Sequence, residues 1–154
     1  MKQKNTKELD AILGNTHVAQ IDEYIQENQD SLITDERPFT RYMRQLIREK
    51  GLKQQDIFLQ ADIPERYGYK LISGEKKTRQ RDVILRICYA AQMTLAETQR
   101  ALKIYSMPEL YSKIPRDAML MILFNERPGM LMDVNELLEA HGMEPLRESG
   151  NPED

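Results

Sequence analysis

The stretch Lys53 to Gly74, KQQDIFLQADIPERYGYKLISG, constrains the fold more than any other part of the chain. Its pattern predicts a short helix with a polar start that breaks at Asp62, then a second helix that restarts at Pro64 and closes on Gly74. Each break carries suitable turn chemistry. Asp is one of the few non-glycine residues that tolerate left-handed backbone. Pro suits a first helical turn, because its missing N–H would have no intrahelical partner there. Gly suits the position just past a helix end. Two short helices joined by so tight a turn must cross steeply.

The rest of the chain also reads as helix. Leu9, Ile12 and Leu13 form a short apolar face ending at Gly14, and Val18, Ile21, Tyr24 and Ile25 repeat at helical spacing behind a cap at Thr16. Asp22, Glu23, Glu27 and Asp30 lie mostly on the other side, which predicts an amphipathic acidic helix of about three turns. Thr34–Pro38 marks a boundary. Phe39, Met43, Leu46 and Ile47 predict a helix stopped by Gly51, with Arg41, Arg44, Arg48 and Lys50 outward. After the polar basic loop Glu75–Arg81, Asp82 is a good N-cap for a helix turning Val83, Ile84, Ile87, Cys88 and Ala91 inward. Thr94 and Glu97 spell a capping box for the next helix, with Leu95, Ala101, Leu102 and Tyr105 in period. Beyond Pro108, two or three more helices are expected up to Leu146. Ala118–Phe124 is apolar on every side, so period alone does not separate helix from strand, and a hairpin through Arg127-Pro128-Gly129 is open. Met, Leu and Ala favour helix. Val134, Leu137, Leu138 and Gly142 outline the last one.

These elements suggest an all-α chain with an acidic helical extension at 1–36, a main domain at 37–107, a helical C-terminal extension at 108–146 and a disordered tail at 147–154. Its 154 residues, 40% hydrophobic and 31% charged, suit one small globular domain with extensions. No apolar run approaches the ~20 residues of a membrane span. The start, MKQKNTKELD, lacks the apolar stretch of a signal peptide. The single cysteine, Cys88, excludes an internal disulfide framework and suits a reducing compartment, so a cytoplasmic location is expected.

The net charge of −3 hides an asymmetry. Residues 1–38 carry 4 Lys/Arg against 8 Asp/Glu, residues 39–82 carry 11 against 6, and residues 83–154 carry 7 against 11. The basic surplus coincides with the two-helix motif. Attraction to phosphate depends on the local face rather than on the total.

Chemical signals elsewhere are sparse. His17 and His141 sit far apart with no partners at metal-ligand spacing, and both read as surface residues. Cys88 falls on an inward helix face with no basic neighbour to activate it. No phosphate loop, dinucleotide glycine pattern or Ser/His/Asp grouping is visible, so neither an enzyme nor a cofactor or metal is expected. Five of the nine methionines lie between Met119 and Met143, as core or as an adaptable binding surface.

From Phe39 to Tyr105 the order is five helices, with the turn motif formed by the second and third. This resembles the lambda-repressor-like, Xre/Cro-type helix-turn-helix family over about 65 residues, on Gly51-Leu52-Lys53-Gln54-Gln55-Asp56-Ile57, Ile63, Leu71, Gly74 and the later capping box. The whole chain is similar to longer bacterial regulators of that type with helical extensions. The resemblance implies that Gln54, and secondarily Gln55, hold a backbone phosphate, and that Glu65, Arg66 and Lys70 face DNA bases. Arg and Lys can bond guanine O6 and N7, and Glu can accept from cytosine N4. Tyr67 and Tyr69 are candidates for phosphates or thymine methyls, and Lys76, Lys77 and Arg79 for clamping the backbone after the recognition helix.

Two positions depart from the family pattern. Phe58 stands where a small residue is usual and Gly68 where a branched apolar one is, which suggests a volume-conserving swap across the two helices. Glu65 places an acid where the helix would meet DNA. The resulting expectation is a regulator that binds double-stranded DNA, usually as a dimer, through the C-terminal apolar helices or the acidic N-terminal helix. The acidic arm could also shield the basic face. Two further readings are an adaptor that uses the fold for protein contacts through either extension, and the antitoxin of a toxin–antitoxin pair.

Overall fold

The computed structural model describes residues 4–29, 31–32 and 37–148. The chain divides into two units, Met1–Glu36 and Arg37–Asp154. Among the described residues both are helical, with no strand. Residues 34–36 of the expected boundary, and the part of the expected disordered tail beyond Glu148, lie outside the described residues.

In the first unit, α1 spans Thr6–Leu13, a 3-10 turn spans Val18–Gln20, and α2 spans Ile21–Glu27. Asn5 caps α1 by accepting from the Glu8 N–H at 2.8 Å. The expected three-turn acidic helix is therefore a tight turn followed by two α-helical turns. Thr16 does not cap it, because its hydroxyl donates back to the Ile12 carbonyl at 2.7 Å. The Gln20 side chain takes over, accepting from the His17 N–H at 2.9 Å. No apolar side chain is buried among the described residues of this unit, and Val18 is 84% exposed. Its buried side chain is Asn28, which donates to the Tyr24 carbonyl at 2.9 Å and accepts from the Lys4 ammonium.

In the second unit, α3 (Pro38–Glu49), α4 (Gln54–Gln60), α5 (Glu65–Ser73), α6 (Arg81–Ala90), α7 (Leu95–Ile104), α8 (Pro115–Glu126) and α9 (Leu131–Ala140) enclose one core. Helix α6 is its axis: α4, α7 and α9 all pack on it. Every residue from Val83 to Ala90 is buried, not only the expected inward set. The difference comes from residues 108–148, which cover the side of α6 that would otherwise face water. Ala118–Phe124 lies within α8, and no hairpin forms at Arg127-Pro128-Gly129; Arg127 itself ends the helix in a left-handed conformation with φ 48°.

Five helices stop by one device. Gly51, Asp62, Gln92, Ser106 and Gly142 take φ between 53° and 73° at the ends of α3, α4, α6, α7 and α9. The N–H of the following residue then bonds the carbonyl five positions back, as Leu52 to Ile47, Ile63 to Phe58, Met93 to Cys88, Met107 to Leu102 and Met143 to Leu138. That residue is apolar each time and packs on the core, the contact that accompanies such a stop.

Arginines satisfy carbonyls at three helix ends. Arg37 donates to Ser73 at 2.9 Å at the end of α5. Arg127 donates to Tyr89 at 3.0 Å and to Met93 past α6, while stacking 4.7 Å over the Tyr89 ring. Arg86, 3% exposed, donates to Ala61 at 3.0 Å, Leu146 at 2.6 Å and Arg147 at 2.8 Å. Burial lowers its affinity for the proton, and Asp62, Glu148 and Asp82 at longer range oppose that.

Asp82 does not cap α6, which begins at Arg81 behind Gln80, two residues earlier than that cap would place it. The Thr78 hydroxyl accepts from the Gln80 N–H at 3.0 Å and starts the helix early. The Asp82 carboxylate instead binds Arg116 at 3.1 and 3.0 Å and the Arg147 N–H at 2.9 Å. Asp117, which is buried, receives Arg81 at 3.1 and 2.6 Å. The expected capping box is present, with bonds of 3.1 and 2.9 Å between Thr94 and Glu97.

Replacing Arg86 with Met should cost about 3 kcal/mol, on the order of 1 kcal/mol for each carbonyl left unsatisfied. A lower urea midpoint at unchanged m-value is the measurement. Partial desolvation raises the Glu97 proton affinity, but the Thr94 N–H and the Lys50 ammonium at 2.9 Å outweigh it and hold the carboxyl below its ordinary value. Its stabilisation is therefore complete above the ordinary carboxylate range and is lost as pH falls through the depressed folded value. Glu97→Gln should flatten that acid dependence in melts taken across a pH series.

Candidate nucleic-acid interface

Gln54 opens α4 half-buried, and Gln55 beside it is exposed. The chain then turns within four residues. The Asp62 N–H bonds the Leu59 carbonyl at 3.2 Å and the Ile63 N–H bonds the Phe58 carbonyl at 3.0 Å. Pro64 precedes α5 instead of opening it, with ψ 129°, and its carbonyl accepts from the Gly68 N–H at 2.9 Å.

Helical period then sorts the residues of α5. Glu65, Arg66 and Tyr69 are exposed, with Lys70 and Ser73 half-buried at the edge of the same stripe. Gly68, Leu71 and Ile72 are buried, and Tyr67 packs half-buried against the core. The two tyrosines of YGY thus part company: Tyr69 joins the outer stripe and Tyr67 does not. Glu65 has a structural reason to be acidic, since a carboxylate in the first turn of a helix is favoured by the helix dipole.

Phe58 and Gly68 meet as their reversed sizes suggest. A Cβ on Gly68 would lie 2.5 Å from Cγ and Cδ1 of Phe58. The Phe58 ring is fully buried there, and its centroid lies 5.1 Å from the Tyr69 ring at an interplanar angle of 81°.

The loop after α5 is held from beneath. Gly74 takes φ 82°, and the Lys76 N–H bonds the Lys70 carbonyl at 3.1 Å. Thr78 is buried and its N–H donates to the Tyr105 hydroxyl at 2.9 Å. This pins the loop while Lys76, Lys77 and Arg79 stay exposed. Neither they nor Arg66 and Lys70 have a carboxylate within ion-pair distance among the described residues, whereas Lys50 and Arg81 do. The Thr78–Tyr105 anchor had no sequence signal beyond Tyr105 lying in helical period. Burial raises the Tyr105 proton affinity, so the hydroxyl stays protonated.

Elsewhere, burial pushes the Cys88 thiol up to about 12, so the thiolate is not formed at neutral pH. Among the described residues no group of three or more His, Cys, Asp or Glu gathers in a metal-holding arrangement, and no helix is long and apolar enough to cross a membrane. Comparison with protein-family models, with curated proteins and with solved structures finds no match for this chain.

Gly68→Val should cost about 1–3 kcal/mol through overpacking against Phe58. In a Phe58→Ala background the same change should cost less or stabilise, a coupling that a double-mutant cycle of thermal melts would measure.

Proposed function

We propose that the chain is a sequence-specific DNA-binding transcriptional regulator of the lambda-repressor-like type. In this reading α3 to α7 are its five helices and α5 is the helix that enters the major groove. The observation that carries it is the combination on one helix and its following loop. An outward stripe of Glu65, Arg66, Tyr69 and Lys70 is continued by Lys76, Lys77 and Arg79, and those five cations lack carboxylate partners among the described residues. Surface cations free of internal partners are those that can exchange small counterions for phosphates.

The roles divide by position. Arg66, Lys70 and Glu65 face base edges, where Arg and Lys match guanine and Glu matches cytosine. Gln54, Gln55, Lys76, Lys77 and Arg79 set register on the phosphates. Tyr67 supports α5 from within. Action as a dimer belongs to the same proposal, since two such helices one DNA turn apart would require a palindromic site.

A protein-binding adaptor is the second reading. It is favoured by the acid at Glu65 and by the exposure of Ile122, Met130 and Met132 on the C-terminal helices. DNA binding separates the two. If Lys76, Lys77 and Arg79 each neutralise a phosphate, log K should fall with log salt at a slope of about −3 per protomer. Lys76→Ala should reduce the slope by about one without changing sequence preference. Absence of binding to any duplex at low salt would discard the regulator in favour of the adaptor.

A further inference from the structure

We infer that Tyr69 is a specificity-determining residue that reads the C5-methyl group of a thymine. This rests on the DNA-binding reading of α5. At 100° per residue, the outward positions 65, 69, 73, 66 and 70 fan in that order across about 140° of the helix. Tyr69 therefore lies between Glu65 and Arg66, inside the stripe and not on its edge. A residue so placed on a helix in the major groove faces base edges.

The local packing suits an apolar contact. Tyr69 remains 42% exposed, yet its ring sits edge-to-face with Phe58 at 5.1 Å. Phe58 reaches that point because Gly68 has no side chain; a Cβ there would collide with the ring at 2.5 Å. The Phe58–Gly68 exchange thus does more than fill a core. It brings a buried ring up beneath an exposed one and restricts where that ring can go. Thymine is the base that offers an apolar group in the major groove, and its methyl is the natural counterpart of a fixed aromatic ring between polar readers. The exposed cations on the following loop take the phosphate contacts, so Tyr69 is not needed for them.

The test uses the full chain and the duplex it selects from a random DNA pool. Each thymine of that site is replaced in turn by deoxyuridine, which lacks only the methyl group. One position per half-site should weaken wild-type binding by about fourfold, the factor expected for one buried methyl-sized group. Tyr69→Phe should keep this discrimination and Tyr69→Ala should bring it close to one. Discrimination that survives Tyr69→Ala would overturn the inference. So would a Tyr69→Phe variant that loses affinity equally for both duplexes, which would make the hydroxyl a phosphate ligand. Salt-dependent binding with no methyl-sensitive thymine would remove this role and leave the DNA-binding reading intact. No duplex binding at low salt would remove both.

Discussion

A guanidinium shut away from water must have acceptors for its donors or it destabilises the fold around it. Arg86 lies on the central helix α6 and meets this demand with three backbone carbonyls: Ala61 in the turn between α4 and α5, and Leu146 and Arg147 near the end of the described chain. The same bonds satisfy a helix-end carbonyl that would otherwise be an orphan. One side chain thus fastens the two-helix motif and the C-terminal segment to the same axis. With no carboxylate in ion-pair reach among the described residues, its positive charge is held by dipoles and by more distant acids.

That arrangement changes the standing of residues 108–148. They supply the outer wall of α6 through Leu120, Leu123, Phe124, Val134, Leu138 and Leu146, all buried. Two arginine–carboxylate pairs, Arg81 with Asp117 and Arg116 with Asp82, cross the same boundary. The Gln99 amide pairs with both backbone groups of Leu110, at 2.8 and 2.7 Å, and so ties the connecting segment to α7. The candidate interface consequently sits on a body larger than a five-helix domain. Cations spent on these internal pairs, Arg81 above all, are not available to a ligand.

Much of the local structure was legible. Left-handed stops at Gly51, Asp62, Gly74 and Gly142, the Thr94–Glu97 capping box and the helical state of Ala118–Phe124 follow from backbone sterics, side-chain capping and helix propensity. Each of these acts within a few residues. The outward placement of Arg66, Lys76, Lys77 and Arg79 was equally accessible, because Arg66 falls on the polar stripe of its helix and the other three lie in a polar loop. What escaped was non-local. Asp82 looked like a cap, since nothing nearby revealed Arg116 thirty-four residues on. Gln92 and Ser106 adopt left-handed stops that their residue types do not advertise, enforced by the burial of Met93 and the packing of Met107.

By itself the sequence determined that the chain is helical, where most of its helices stop, and that its basic surplus coincides with the α4–turn–α5 motif, because these depend on periodicity and on interactions spanning a turn or two. Only the tertiary structure decided which charges remain available and which are consumed inside. It also decided that Tyr69 faces out while Tyr67 faces in, and that α6 is buried on every side. Those outcomes depend on which surfaces meet across tens of residues. A helical pattern names a face, but only packing decides what covers it.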